Sequence, residues 1–256
     1  MGIDYDEVFA PVARMEIIQL LIFQAAQFKW PIFQMDVKSV FLNGVLEEEV
    51  YLEQPPGCMK IGEEKKVLKL KKTLYELKQT PRAWNTRIDT YFKENGHKQC
   101  SHEHALYTKK SGGNVILIAF YVDDLIFSSN NDEMIEEFKN TMTQEFEMTD
   151  LDLLKFFLDL EVKQGETGIF ISQKKYGKEI LKKYKMGNCN PISTPMEPDA
   201  KLSKYDEGER VDANRNWSLV GSLRYLTCTR LDLPLSVGII SRFMEEPTYS
   251  HWKALK

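Results

Sequence analysis

The sequence lacks a hydrophobic run long enough to cross a membrane as a helix. Its longest apolar segment, Val115 to Val122, has eight residues, whereas a helical span needs about 20. The first residues, Met-Gly-Ile-Asp-Tyr-Asp-Glu, also lack the basic and then apolar layout of a secretory signal. We therefore expect no membrane partner and a reducing, intracellular and cytoplasmic setting.

Cysteine is scarce, and its four copies are at least 39 residues apart. They are Cys58, Cys100, Cys189 and Cys228. This spacing predicts neither a Cys-x-x-Cys zinc motif nor a compact disulfide framework. Cys100, His102 and His104 do form a cluster of residue types that bind zinc. Because the cluster follows a helix stop at Asn95-Gly96, we interpret it as a polar loop.

Glycine and proline are also few, with 14 and 10 copies in 256 residues, and the chain carries no internal repeat. The content of 43% hydrophobic and 28% charged residues is typical of globular proteins and excludes disordered or fibrous classes. This length favours one or two compact units, each with its own core.

The net charge of −4 argues against a dedicated polyanion binder, but the charge is unevenly distributed. Eight basic residues lie between Lys65 and Arg87, and six lysines accompany one acidic residue between Lys174 and Lys185. Ten acidic residues lie between Asp132 and Glu161. A chain segregated in this way can hold a phosphate backbone on one surface, although most such runs are solvated faces.

Hydrophobic periodicity predicts an alternation of helices and strands. We expect helices ending near Trp30 and Asn95, one starting at Asn131, a lysine-rich helix over 174–185, and two more over 219–226 and 235–243. Strands are expected over 32–37, 50–52, 67–70 and on both sides of residues 123–124, with a hairpin over 156–171. The first helix is predicted to carry an apolar face that is formed by Ile17, Ile18, Leu21, Ile22, Ala25 and Phe28.

Two adjacent carboxylates, Asp123 and Asp124, lie between two apolar strands. At about 4 Å, two such charges repel by about 4 kcal/mol at an effective dielectric of 20, so the pair either takes up a proton or binds a cation. Mg²⁺ prefers oxygen ligands, and simple alternation sends the two side chains to opposite faces. A third carboxylate is then needed, and Asp36 on the 32–37 strand is the candidate. The alternative is an ordinary solvent-exposed turn.

Ordered motifs run nearly from end to end. They are residues 5–12 (YDEVFAPV), 34–44 (QMDVKSVFLNG), 74–84 (LYELKQTPRAW), 121–124 (YVDD), 172–176 (SQKKY), 193–196 (STPM) and 251–254 (HWKA). Together they resemble the reverse transcriptase of Ty1/copia-type retrotransposon Pol polyproteins. The resemblance implies RNA-directed DNA synthesis on a primed RNA or DNA template from deoxynucleoside triphosphates, with virus-like particles as one setting.

The resemblance also implies residue roles. Asp36, Asp123 and Asp124 are expected to bind two Mg²⁺ ions, with Mn²⁺ as a substitute, and to be catalytic. Substrate contacts are expected from the amides of Val37 and Lys38, from Tyr121, from Gln79, and from Phe41 as a steric gate against a ribose 2′-hydroxyl. Without the motif, Phe41 reads equally well as a core residue and Gln79 as a surface residue. The nucleic-acid contacts are expected from Lys174, Lys175, Lys178 and Lys182.

The expected fold is α+β: a palm of antiparallel strands packed on helices with a partial fingers region over 1–164, then a primer-holding hairpin and a small thumb-like helical part over 165–256. The family's basic fingers segment, its RNase H and its integrase are expected to lie outside this sequence. Glu76, Asp152 and Asp159 stand where the family usually has glycine, and Leu231 where it has proline. These departures leave open an inactive fragment that only binds nucleic acid, and a metal-dependent nuclease.

Overall fold

The structure is a computed structural model, and it describes residues 12–63, 65–197, 202–205 and 207–256. It is a mixed α/β protein with antiparallel strands, as the sequence predicts, and seven α-helices in the described ranges. The helices are α1 (Met15–Phe28), α2 (Thr80–Glu94), α3 (Asp132–Glu145), α4 (Lys174–Lys183), α5 (Ala213–Leu226), α6 (Pro234–Ile240) and α7 (Tyr249–Leu255). Of these described helices, none is both long and apolar enough to span a bilayer.

Eleven strands form three sheets in the described residues. They are β1 (Ile32–Val37), β2 (Tyr51–Leu52), β3 (Leu68–Lys69), β4 (Lys98–Gln99), β5 (Leu106–Ser111), β6 (Asn114–Tyr121), β7 (Asp124–Ser129), β8 (Met148–Leu153), β9 (Phe156–Phe157), β10 (Leu160–Gly165) and β11 (Gly168–Ser172). The main sheet has the order β4-β5-β6-β7-β1-β8, and smaller sheets have the orders β11-β10-β9 and β2-β3. Short 3₁₀ helices cover Val40–Asn43 and Ser241–Phe243.

Contacts divide the chain into two compact units. The first unit contains the described residues up to Leu154 together with Gln164–Ile169, and the second contains Lys155–Lys163 together with Phe170–Lys256. The first unit therefore holds the six-stranded sheet with α1, α2 and α3, whereas α4 to α7 belong to the second. The predicted division at residue 164 stays a prediction.

The first unit has an aromatic core between its helices and its sheet. Phe92 of α2 lies 4.6 Å from Tyr107 of β5 by ring centroids, and Phe127 of β7 lies 4.7 Å from Phe138 of α3. Phe120 of β6 packs 6.0 Å from Tyr107. All five side chains are buried, and each contributes on the order of 2 kcal/mol through the area removed from water. This core fixes α2 and α3 against the strands that carry the acidic residues.

Local signals explain where the helices start and end. Asn131 caps α3, because its side-chain oxygen accepts from the amide of Met134 at 2.8 Å. Proline in the first turn of α2 suits the helix start, and Gly96, with φ of 79°, follows its end. Phe28 ends α1, where it is exposed and stacks on Trp30.

The second unit has a separate core in which α4, α5, α6 and α7 meet. Its buried residues are Ile180, Tyr184, Leu219, Val220, Ile240, Trp252 and Leu255. The predicted helices over 174–185, 219–226 and 235–243 are confirmed. The sequence did not predict α7, because seven residues are too few to show a clear helical periodicity. The four cysteines are all free of disulfides.

Candidate active site

Antiparallel pairing of β1 with β7 brings two of the predicted carboxylates together. Asp36 is the direct partner of Asp124 in this ladder, and directly opposed residues share a sheet face. The amide of Val37 donates to the carbonyl of Asp123 at 2.9 Å, which extends the ladder into the turn. Asp36 and Asp124, 88 positions apart in sequence, are thereby neighbours through backbone pairing.

A two-residue turn, Val122-Asp123, joins β6 to β7, and its flanking residues Tyr121 and Asp124 pair with each other. Val122 has φ of 58°, in the left-handed region. The prediction that simple alternation sends Asp123 and Asp124 to opposite faces does not apply here. Asp123 lies in the turn itself, and Asp124 is the first residue of β7.

The three aspartates act on one another electrostatically. Burial raises the pKa of Asp36, and the negative charge of Asp123 raises it further, whereas Lys38 opposes this. Burial also raises the pKa of Asp124, against a lowering hydrogen bond from Gln34, and the charges of Asp123 and Asp36 add to the increase. Burial is thus the main cause of both raised pKa values, and repulsion between neighbouring carboxylates adds to it.

The donor chemistry of this cluster fits a hard divalent cation, since Mg²⁺ binds carboxylate oxygens. The side chains are not, however, arranged as a ready-made site. Within the described parts of the chain, no group of three His, Cys, Asp or Glu side chains is placed to hold a metal ion. The carboxylate of Asp124 accepts a hydrogen bond from the Gln34 amide at 2.9 Å.

The amides of Val37 and Lys38 are engaged within the protein. Val37 donates to Asp123, and Lys38 donates to the carbonyl of Glu147 at 2.9 Å. The Lys38 ammonium lies 3.3 Å from the Glu147 carboxylate. These bonds argue against the predicted triphosphate contacts from these two amides.

Phe41 lies in the 3₁₀ helix that follows β1 and is half-buried. Its ring meets that of Tyr75 edge to face, with centroids 4.9 Å apart. The Thr73 hydroxyl donates to the Phe41 carbonyl, which ties this segment to the stretch before α2. The Phe41 ring is therefore partly exposed and contacts Tyr75 on one side, unlike a phenylalanine of the core.

Gln79 immediately precedes α2 and is half-buried, and Tyr121 ends β6 beside the aspartate turn. The sequence analysis missed two contacts in this region. Gln34 bonds Asp124, as described above, and the indole of Trp84 donates to the carbonyl of Val122 at 2.7 Å. Gln34 lies two residues before Asp36 on the same strand face, a period-2 signal that could have identified it.

The four predicted nucleic-acid lysines, Lys174, Lys175, Lys178 and Lys182, all lie on α4 and are exposed. In the described ranges none of them forms an ion pair. The earlier basic stretch differs, because Arg82 lies 3.2 Å from Glu48, and Arg87 pairs with Glu145. These four exposed lysines of α4 are therefore available to contact a phosphate backbone.

Glu76, Asp152 and Asp159 all have positive φ, of 74°, 61° and 60°. These are the three positions where the resembled family usually has glycine, so their backbones keep a conformation that suits glycine. Leu231 is exposed and has no consequence that the structure explains. Residues 100–104 form the loop between β4 and β5, which confirms the loop interpretation.

Comparison with known proteins identifies a family. The family described as reverse transcriptase (RNA-dependent DNA polymerase) matches residues 1–198, although the motif over 5–12 lies almost wholly outside the described residues. The chain is 37% identical over its full length to 20% of a Pol polyprotein from transposon TNT 1-94 of Nicotiana tabacum. It is 36% identical over its full length to 17% of one from transposon RE1 of Arabidopsis thaliana.

A Saccharomyces cerevisiae protein named for transposon Ty5-1 is 30% identical over 87% of this chain and 73% of its own length. The chain spans about a fifth of the plant polyproteins that it matches. On the family match and these relatives together, the chain belongs to the reverse transcriptase family, among the Pol polyproteins of Ty1/copia-type retrotransposons.

Proposed function

We propose that this chain is an RNA-directed DNA polymerase domain that adds deoxynucleotides to a primer 3′-hydroxyl. The observation that carries the proposal is the β1–β7 register, which sets Asp36 against Asp124 and next to the turn that bears Asp123. The charge repulsion that Asp123 adds to the raised pKa values of Asp36 and Asp124 supports it, since neighbouring negative charges attract cations.

In this proposal, Asp36 and Asp123 hold the metal ions, and Asp124 contributes once it gives up the Gln34 bond. Two bound Mg²⁺ ions would supply activation of the attacking hydroxyl and neutralisation of the leaving pyrophosphate. The chain's own residues orient the carboxylates. The register fixes the Asp36 backbone, and the hydrogen bond from the Val37 amide fixes the carbonyl of Asp123.

Selection of the sugar would fall to Phe41. Its half-buried ring, braced by Tyr75 at 4.9 Å, is placed to exclude a ribose 2′-hydroxyl by volume. Gln79, at the start of α2, carries an amide able to donate to sugar or phosphate. The amides of Val37 and Lys38 donate within the protein, so their triphosphate contacts would require those two bonds to open.

The six-stranded sheet with α1, α2 and α3 corresponds in this reading to a palm with part of the fingers, and α4 to α7 to a thumb-like part. The exposed lysines of α4 would contact the phosphate backbone of a primed RNA or DNA template. Such contacts position the nucleic acid without reading its sequence, as a polymerase requires.

A primer-extension assay tests the proposal. Purified protein with Mg²⁺, a primed RNA template and labelled deoxynucleotides is expected to lengthen the primer, and Asp123→Asn is expected to abolish the extension. The matched control is Asp132→Asn, which changes an exposed aspartate in the first turn of α3 and is expected to retain activity. Equal extension by the Asp123→Asn protein contradicts the proposal, and shortening of the labelled strand indicates a nuclease.

A second candidate is a fragment that binds nucleic acid without catalysis. The positive φ of Glu76, Asp152 and Asp159 favours it, because non-glycine residues there cost stability. This candidate predicts salt-dependent binding of primed template with no extension. Changing Lys174, Lys178 and Lys182 to alanine is expected to reduce the slope of log affinity against log salt by about 3, whereas changing Lys65, Lys66 and Lys69 leaves it nearly unchanged.

A further inference from the structure

Trp84 connects α2 to the turn that carries Asp123. Its side chain is 2% exposed, and its indole Nε1–H donates to the carbonyl oxygen of Val122 at 2.7 Å. A buried indole N–H left without a partner is costly, so the bond is favoured by burial as well as by its geometry.

The turn needs outside support because its backbone is strained. Val122 is β-branched and has φ of 58°, and the left-handed region costs such a residue about 1–2 kcal/mol. Conformations of this kind persist only where the surroundings hold them. Here both turn carbonyls accept hydrogen bonds, that of Val122 from Trp84 and that of Asp123 from the Val37 amide at 2.9 Å.

Trp84 itself is held in a rigid setting. Its ring meets Phe146 edge to face at 5.5 Å, and Tyr91 packs on the same phenylalanine at 5.2 Å. The Arg87 guanidinium lies 5.0 Å from the Phe146 ring. A Cβ added to Gly44 would lie 3.1 Å from the Trp84 backbone nitrogen, so this part of α2 is closely packed on its other side as well.

We propose that Trp84 is a positioning residue whose indole N–H fixes the Val122-Asp123 turn and so directs the Asp123 carboxylate toward Asp36. The proposal rests on the proposed function, in which this carboxylate pair binds the metal ions. Losing the N–H frees the turn to relax from the strained φ of Val122, and the Asp123 carboxylate then leaves its binding direction. Metal affinity and turnover fall, while deoxynucleotide binding by other residues is kept.

The experiment compares two tryptophan variants that lose the same kind of bond. Trp84→Phe removes the donor to Val122, and Trp217→Phe removes an indole donor to the Met244 carbonyl at 2.6 Å in the second unit. Mn²⁺ affinity is measured by electron paramagnetic resonance without nucleic acid, and kcat and KM by primer extension. For Trp84→Phe we expect an approximately fivefold loss in Mn²⁺ affinity, a lower kcat and an unchanged KM. For Trp217→Phe we expect no change.

A variant of matched shape separates the hydrogen bond from the packing. Benzothienylalanine at residue 84 replaces the indole N–H with sulfur and keeps the size of the ring, so it serves if Trp84→Phe fails to fold. The benzothienylalanine variant is expected to lose Mn²⁺ affinity as Trp84→Phe does. If it binds Mn²⁺ as tightly as the wild type, the proposal is overturned, because only the hydrogen-bond donor has been removed.

A double-mutant cycle with Val122→Gly distinguishes positioning of the turn from a purely structural role of Trp84. Glycine adopts positive φ without strain, so the turn needs less support in that background. The effect of Trp84→Phe on Mn²⁺ affinity is expected to shrink there. Equal losses in both backgrounds mean that Trp84 acts by filling space alone, and they overturn the proposal.

The failure of the polymerase reading and the failure of this proposal give different results. Wild-type protein that binds Mn²⁺ but extends no primer removes the proposed function, and a weakened Mn²⁺ affinity in Trp84→Phe still supports positioning. Active wild type with an unaffected Trp84→Phe removes the positioning role alone. Wild type that binds no Mn²⁺ removes both.

Discussion

Two tight turns, one in each unit, place a non-glycine residue in the left-handed region. The turn between β6 and β7 has one such residue, Val122 with φ of 58°, and the turn between β9 and β10 has two, Leu158 with 46° and Asp159 with 60°. Both turns carry an aspartate at their second position. Two-residue hairpins with two positive φ values normally use Asn-Gly or Asp-Gly, so the second turn is the more strained.

The support that the two turns receive differs. Both carbonyls of the first turn accept hydrogen bonds, from Trp84 and from the Val37 amide. In the second turn, the Tyr225 hydroxyl donates to the carbonyl of Leu158. The first turn thus has one strained residue and two supporting hydrogen bonds, whereas the second has two residues with positive φ and the bond from Tyr225.

The largest expected effect is on catalysis and comes from the strand beside the first turn. Asp36→Asn removes a proposed metal ligand, and extension rates are expected to fall at least about a hundredfold. Primer extension under single-turnover conditions measures this. A loss below about threefold would mean that the carboxylate cluster is not the metal site, and the distinction between the two turns would then lose its functional meaning.

The same substitution is expected to change stability in the opposite direction. Because the folded-state pKa values of Asp36 and Asp124 are raised, the stability they contribute is fully present below the unfolded pKa and is lost as pH rises through the folded value. Asp36→Asn is therefore expected to raise the melting temperature at pH 7 and to lose this advantage below about pH 4. Melting curves across pH test the sign, and Mg²⁺ is expected to reduce the difference at pH 7.

The next largest effect is expected on stability, when the hydrogen bond that supports the second turn is removed. Tyr225→Phe deletes the hydroxyl that donates to the Leu158 carbonyl, and we expect the free energy of unfolding to fall by about 1 kcal/mol. Urea denaturation followed by circular dichroism measures it. Tyr205→Phe, at an exposed tyrosine, is the control that is expected to leave stability unchanged.

Val122→Gly is expected to separate strain from function in the first turn. Removing the β-branched side chain relieves about 1–2 kcal/mol of left-handed strain. Glycine, however, loses more backbone entropy on folding, which lowers stability by about 0.5–1 kcal/mol. A small net gain in stability, near 0.5–1 kcal/mol, is the expected result. A net loss would show that packing of the valine side chain outweighs its backbone cost.

The smallest expected effect is in the second turn. Asp159→Gly is expected to gain about 0.5 kcal/mol, less than Val122→Gly because aspartate tolerates the left-handed region better than a β-branched residue. Asp159→Ala, which has the Cβ but not the carboxylate, is the matched control and is expected to give no gain. Equal gains from glycine and alanine would assign the cost to the charge rather than to the backbone.

Much of this architecture is predictable because it follows periodicity. The helices with a clear apolar face and the apolar strands β1, β6 and β7 are where the sequence places them. β8 was missed because its sequence, MTDLDL, shows no buried alternation and four of its six residues are exposed. Asp36 was expected beside the Asp123-Asp124 pair because a metal site there needs a third carboxylate, and the β1–β7 register sets Asp36 directly opposite Asp124.

Finer features of the site depend on distances that sequence patterns do not encode. The bond from Trp84 to Val122 joins residues 38 positions apart, and that from Gln34 to Asp124 joins residues 90 apart. The same applies to the occupied amides of Val37 and Lys38, whose acceptors lie on other segments. Trp84 lies on the buried face of α2, but only the fold assigns its indole N–H a partner.

The position of β8 at the border of the main sheet has a consequence for solubility. A border strand leaves one row of backbone amides and carbonyls ready to pair with a strand of another molecule, which is a route to aggregation. Here β8 presents Asp150 and Asp152 in exposed positions, with a positive φ at Asp152 that bends the strand. Charge and curvature together discourage a second copy from extending the sheet next to the strand that carries Asp36.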